Sequence, residues 1–122
     1  MQVTLPIEME NEYAQWQRSV EDYSQENALL KYRLSEIVDD NEDKDLLQVA
    51  EYFQNELLLT DEVLKRLRNE LQEYAEMKQP NHPAQKIIIK HKALRNDLSN
   101  FEKKFLHLSE EFNKKMRESH QH

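Results

Sequence analysis

The chain of 122 residues contains no glycine, no cysteine and only three prolines. Glycine is the residue that most readily adopts the positive φ of tight turns, so a sheet protein would have almost nothing with which to connect its strands. Without cysteine, disulfides and thiolate metal sites are excluded. The abundant Glu, Lys, Leu, Arg and Gln side chains lose little rotamer freedom on a helix, and together these features predict an all-α fold.

No part of the sequence has the composition of a targeting or membrane segment. Residues 1–13 (MQVTLPIEMENEY) lack a basic start and an apolar run. No other stretch approaches the roughly 20 apolar residues that a membrane-spanning helix requires. Because nothing indicates an oxidising compartment either, the sequence predicts a cytoplasmic protein with no membrane partner.

Charge is distributed unevenly along the chain, whose formal net charge is −7. Residues 1–79 carry 8 basic and 19 acidic side chains, whereas residues 80–122 carry 9 basic and 5 acidic ones. The simplest interpretation is that an acidic and a basic segment pack side by side in one fold. An alternative is nucleic-acid binding through the basic segment, which the overall negative charge disfavours because phosphate is repelled. Its candidate residues are Lys86, Lys90, Lys92 and Arg95.

Apolar residues recur in alternating steps of four and three along three segments, a heptad spacing that predicts three long helices. The first of these apolar lines contains Met9, Tyr13, Trp16, Val20, Tyr23, Asn27, Leu30, Leu34 and Ile37. The second contains Leu46, Val49, Phe53, Leu57, Thr60, Leu64, Leu67, Leu71 and Tyr74. The third contains Ile87, His91, Leu94, Leu98, Phe101, Phe105, Leu108 and Phe112.

The links between these helices are short, so neighbours in sequence are predicted to be antiparallel. The expected architecture is a single helical domain over residues 1–122, an antiparallel up-down-up three-helix bundle with long coiled-coil-like helices. We expect the helices at about residues 5–38, 42–78 and 82–117. Candidate N-caps are Thr4 for the first, Asp40 or Asn41 for the second and Asn81 for the third. Pro83 is expected in the first turn of the third helix, where a missing N–H costs nothing.

Folding the helices back at residues 41 and 81 predicts which residues share a level of the bundle. Tyr23, Thr60 and Phe101 should meet, as should Leu30, Phe53 and Leu108. These levels are expected to hold to about one helical turn.

His91 stands at a position that should face the interior, close to Leu71 and Tyr13 by the same fold-back. A histidine in such a place usually packs against apolar neighbours with one ring nitrogen hydrogen-bonded to a hydroxyl or to water. We therefore predict that His91 is a packing residue, with Tyr13 as the candidate to supply the hydroxyl.

The segment HKALRNDL, residues 91–98, also resembles the arrangement of a histidine followed one turn later by a basic residue in histidine phosphotransfer domains and in the helical dimerisation domain of sensor kinases. That resemblance implies a signalling domain with His91 as the phosphoryl acceptor. In phosphotransfer domains the basic residue usually comes three positions after the histidine and a glycine stands beside it, whereas here Arg95 comes four positions after it and glycine is absent. Such a histidine must also be exposed.

Asn27 is the polar member of an otherwise apolar line of residues. A buried asparagine at such a position fixes register or oligomeric state in helical assemblies at some cost in stability. The equally favoured interpretation is that the helix rotates slightly, so that Asn27 reaches solvent and Ala28 packs instead.

Runs of apolar residues widen the core stripe beyond a strict heptad, notably LLL at residues 57–59 and III at residues 87–89. A three-helix core requires a wider stripe than a two-stranded coil does, so part of this excess is expected. The alternative is an exposed patch formed by Leu58, Leu59, Ile88 and Ile89 that binds another copy of the chain or a partner helix.

No catalytic constellation is evident, and we predict no enzymatic activity, no cofactor and no small-molecule substrate. The acidic link places Asp39, Asn41, Asp43 and Asp45 at alternate positions, as calcium loops do, but Lys44 replaces the required glycine and Ala50 the closing glutamate. No metal site is therefore predicted. The sequence favours a protein–protein interaction module, namely a small adaptor, scaffold or regulatory subunit, and it leaves a homodimer open.

Overall fold

The computed structural model describes residues 6–77 and 83–119. Within these residues there are three α-helices, α1 (Ile7–Asp39), α2 (Lys44–Met77) and α3 (Ala84–Ser119), and no strand. Side chains from all three helices contribute to one hydrophobic core cluster. The predicted all-α fold of three packed helices is confirmed.

Contacts between distant residues give the direction of each helix. α1 and α2 are antiparallel, since Asn27 contacts Leu57 while Glu21 contacts Arg68. α2 and α3 are antiparallel as well, because Tyr74 meets His91 near one end and Phe53 meets Phe112 near the other. The bundle is therefore up-down-up, with α1 and α3 parallel.

The observed helix ends differ from the predicted ones by about two residues, and the cap at the start of α2 was wrongly assigned. Asp43, not Asp40 or Asn41, is the N-cap, since its Oδ1 accepts a hydrogen bond of 3.0 Å from the backbone N–H of Asp45. Asp40 instead forms the C-cap of α1, and Asn41 Nδ2 donates to the carbonyl of Ile37 at 3.2 Å. Both predicted caps thus close the preceding helix.

At the start of α3, Pro83 lies immediately before the first helical residue, and its carbonyl accepts the backbone N–H of Lys86 at 3.1 Å. Pro83 therefore stands at the cap position and not within the first turn, although the missing N–H is harmless in both places. The predicted caps Thr4 and Asn81 lie outside the described residues.

The predicted levels hold to about one turn. The rings of Tyr23 and Phe101 lie 5.4 Å apart, as the fold-back requires. Phe53 contacts the ring of Phe112 at 5.3 Å, one turn beyond the expected Leu108. Hydrophobic packing of these inward residues supplies most of the stability of such a bundle, at about 25 cal/mol per Å² of apolar surface buried.

None of the described helices has the combination of length and apolar character that crossing a membrane would require.

Candidate functional site

His91 lies where all three helices meet, and only 1% of its surface is exposed. The ring of Trp16 from α1 packs against the imidazole with 4.5 Å between centroids. Nδ1 of His91 is 2.8 Å from the hydroxyl of Tyr74 on α2, and Nε2 is 3.4 Å from Oε1 of Glu12 on α1. One side chain of α3 is thus held by polar groups from both other helices.

The identity of these partners fixes the protonation of a neutral His91 ring. A carboxylate can only accept hydrogen bonds, so Nε2 must carry the proton and donate it to Glu12. Nδ1 is then the acceptor, and the hydroxyl of Tyr74 donates to it. Burial raises the pKa of Tyr74 to about 12, so this hydroxyl keeps its proton at neutral pH.

Glu12 is in turn held by Arg95, whose Nε and Nη2 donate to the two carboxylate oxygens at 2.9 Å and 2.7 Å. The hydrogen bonds from Arg95 lower the pKa of Glu12, against a smaller opposing effect of burial and with a further contribution from His91. This paired geometry is the strong form of a carboxylate–guanidinium contact. Arg95 therefore ties α3 to α1.

The prediction that Tyr13 supplies the hydroxyl for His91 was wrong. Tyr13 is only half-buried, and its ring packs 5.4 Å from that of Tyr74, which holds the bonding position. Its hydroxyl accepts a hydrogen bond from Gln17 at 3.1 Å. The fold-back placed Leu71 at the level of His91, and the actual neighbour, Tyr74, is one turn further along α2.

Burial also bears on the phosphoacceptor interpretation of His91. A phosphoryl-accepting histidine has to present one ring nitrogen to an incoming donor, whereas both nitrogens here are engaged and the ring is covered by Trp16. Phosphorylation would require this end of α1 to leave the bundle.

Asn27 is fully buried, with 0% of its surface exposed, so in this structure it does not reach solvent. Its Nδ2 donates to the carbonyl of Leu57 at 3.0 Å and to Oδ1 of Asp61 at 2.7 Å, and Asp61 also accepts a hydrogen bond from Lys31. Oδ1 of Asn27 has no hydrogen-bond partner among the described residues. An amide held by the partner helix in this way favours one alignment of α1 on α2.

The four candidate patch residues are all exposed, with exposed fractions between 41% and 61%, but they do not form one patch. The contacts of Tyr74 with His91 and of Phe53 with Phe112 place Leu59 at the level of Leu106, and Ile89 at the level of Glu76. At 1.5 Å per residue, the leucine pair and the isoleucine pair are about 25 Å apart along the bundle. The members of each pair also point in different directions, because adjacent helical residues differ by about 100°.

Leu59 instead belongs to a groove of about 500 Å³ between α2 and α3, on the side of the bundle away from α1. Its apolar lining includes Val63, Phe101, Phe105 and Leu108. We call this groove and its charged margins the α2–α3 face. The charged margins contain Glu56, Arg66, Glu70, Asp97 and Lys104.

One margin carries a repulsive pair of acidic side chains. Burial raises the pKa of Glu70, and the nearby carboxylate of Asp97 across the groove raises it further, while Lys90 and Arg66 partly offset this. The ionised form of Glu70 is thus slightly destabilised at its position on the α2–α3 face.

The basic side chains named for nucleic-acid binding are partly used within the fold. Arg95 binds Glu12, and Lys90 Nζ lies 3.9 Å from a carboxylate oxygen of Glu73. Lys86 and Lys92 are exposed. Two of the four cations therefore already lie beside acidic residues of the same chain.

Among the described residues, no group of three or more His, Cys, Asp or Glu side chains is arranged to hold a metal ion. In the acidic link, Asp43 caps α2 through its carboxylate.

Sequence reasoning found His91 and Asn27 but missed Glu12, Trp16, Tyr74 and Asp61 as their partners. It also missed a second line of residues on α2 with the same alternating spacing as the core line, which borders the α2–α3 face. That spacing was visible in the sequence at Tyr52, Glu56, Leu59, Val63, Arg66 and Glu70.

No known family model, curated protein or solved structure matches the chain. A functional proposal therefore rests on the contacts of the chain's own residues.

Proposed function

We propose that this protein is a protein–protein interaction module, a small helical adaptor, scaffold or regulatory subunit, and that the α2–α3 face is its binding surface. The observation that supports this is the groove itself, where Leu59 is 57% exposed above a floor of Phe101, Phe105 and Leu108. An apolar groove with charged margins suits an amphipathic helix, which places its apolar side in the groove and its polar side outward. A cytoplasmic location stays a prediction from the sequence.

Two alternatives have less support. A phosphoryl-accepting role for His91 conflicts with its burial and with its contacts to Tyr74 and Glu12. Nucleic-acid binding would draw on Lys86, Lys90, Lys92 and Arg95, of which Arg95 and Lys90 are already paired with acidic residues.

The test is affinity capture of the tagged full chain from its source cells, with an untagged copy of the same chain also expressed. The informative variant is Leu59→Lys, which places a charge in the groove, and the matched control is Leu29→Lys on α1, where Leu29 is 59% exposed. We expect a stoichiometric protein, another copy included, to be retained by the wild type and by Leu29→Lys but lost from Leu59→Lys.

Equal retention by both variants would place the binding surface elsewhere and overturn the proposal. Recovery of the tagged chain alone would also overturn it. Circular dichroism of both variants establishes that they are folded, so a loss of binding by Leu59→Lys reports on the groove.

A further inference from the structure

We propose that a second copy of this chain covers the α2–α3 face, in a two-fold symmetric dimer whose two α2 helices lie antiparallel. This inference rests on the proposed function, because it names the occupant of the same face. It starts from the line of α2 residues that borders the groove, which we call the outer seam. The outer seam consists of Tyr52, Glu56, Leu59, Val63, Arg66 and Glu70.

The outer seam is complementary to itself when reversed. A two-fold axis that crosses α2 at the level of residue 61 brings Leu59 opposite Val63 of the second copy. The same axis brings Glu56 opposite Arg66 and Tyr52 opposite Glu70. The centre of the contact is thus apolar and is flanked on each side by an opposite-charge pair, and then by a phenol that can donate to a carboxylate. Each pair occurs twice, as an isologous interface requires.

The charged side chains of the outer seam are available for such contacts. Within residues 6–77 and 83–119, neither Glu56 nor Arg66 takes part in an ion pair, and Arg66 partly offsets the raised pKa of Glu70 without forming an ion pair with it. By contrast, Glu12 of α1 and Arg95 of α3 are joined to each other. The outer seam thus combines apolar side chains with charges that form no ion pair among the described residues, and their order along α2 is complementary to the reversed order on a second copy.

The first test uses charge reversal and mixing. Wild-type full chain is examined by sedimentation equilibrium beside Glu56→Arg and Arg66→Glu, each alone and as an equimolar mixture. Each single variant opposes like charges twice across the axis, so we expect its dimer dissociation constant to rise about tenfold or more. In the mixture both opposite-charge pairs form again, and a heterodimer of wild-type affinity is expected.

The second test exploits the absence of native cysteine. Oxidation of a mixture of Leu59→Cys and Val63→Cys should give a disulfide-linked heterodimer, whereas Leu29→Cys should stay uncrosslinked. Circular dichroism checks that every variant is folded.

A wild-type chain that is monomeric at about 100 µM, well above the micromolar range of a modest interface, would overturn the dimer. So would a dimer that both charge variants leave unchanged, or one that crosslinks through Leu29→Cys. The proposed function has a separate readout, because a groove-dependent partner of another sequence would still be lost from Leu59→Lys in the capture experiment.

Discussion

The hydroxyl of Tyr74 on α2 lies 2.8 Å from Nδ1 of His91 on α3, at the point where α1 covers both side chains. The contact is buried. The other ring nitrogen of His91, Nε2, is hydrogen-bonded to Glu12, and Glu12 is in turn bound by Arg95. This chain of hydrogen bonds links all three helices. The buried side chain of His91 therefore has partners on both other helices and connects them. Two of its members, Tyr74 and Glu12, each lead to a prediction about stability.

Tyr74→Phe should lower the free energy of unfolding by about 1–3 kcal/mol, because it removes the hydrogen bond from the Tyr74 hydroxyl to Nδ1 of a buried histidine. The exposed Tyr52 supplies the matched control, and Tyr52→Phe should change stability by less than about 0.5 kcal/mol in the monomer. Urea unfolding monitored by circular dichroism at low protein concentration measures both. Repeating Tyr74→Phe in a His91→Leu background should abolish most of its cost, and an unchanged cost there would show that the hydrogen bond is not its cause.

Glu12 should make the bundle sensitive to acid. Its pKa is lowered in the folded protein by Arg95, so its contribution is present above the ordinary value of 4.5 and is lost as the pH falls through the lowered pKa. Since Arg95 is largely exposed, we expect a contribution of less than about 1 kcal/mol at pH 7. The free-energy difference between wild type and Glu12→Gln should therefore shrink as the pH falls below about 5. A difference that is constant with pH would contradict this assignment.

Glu70 should behave in the opposite way. Burial and Asp97 raise its pKa, so its ionised form weakens the fold at neutral pH and the penalty disappears as the pH falls through the raised pKa. Glu70→Gln is expected to raise the melting temperature at pH 7 slightly, by the equivalent of about 0.5 kcal/mol or less, and to have no effect near pH 3. Glu51→Gln, at an exposed position of the same helix, is the control. A stabilisation that persists at pH 3 would point to a cause other than charge.

Asn27→Leu tests whether the buried amide serves stability or alignment. The substitution removes the unpaired Oδ1, while Asp61 keeps Lys31 and the carbonyl of Leu57 stays within continuous helix. We expect a gain of about 1 kcal/mol in the free energy of unfolding. If Asn27 fixes the alignment of α1 on α2, sedimentation of Asn27→Leu should show a less uniform oligomeric state than the wild type. A large loss of stability would mean that the two hydrogen bonds of Nδ2 outweigh the unpaired oxygen.

The positions of the helices and most of the core were predictable, because heptad spacing identifies the residues that face inward without reference to any partner. Val20, Leu57 and Leu94 are buried as that spacing requires, and so are the polar exceptions Asn27 and His91. The spacing alone could not identify the hydrogen-bond partners of Asn27 and His91. Asp61 lies just outside the core line of α2, where periodicity carries no information about it.

The sequence by itself determined that this protein is built of three long helices, since it lacks glycine and repeats its apolar residues at helical intervals. The tertiary structure alone decided that Tyr74 and not Tyr13 bonds His91, and that Leu59 and Ile89 lie on separate parts of the surface. The physical reason is geometric. A displacement of one turn between packed helices preserves every inward-facing residue but exchanges the neighbours across the interface, and only the packing of side chains fixes that displacement.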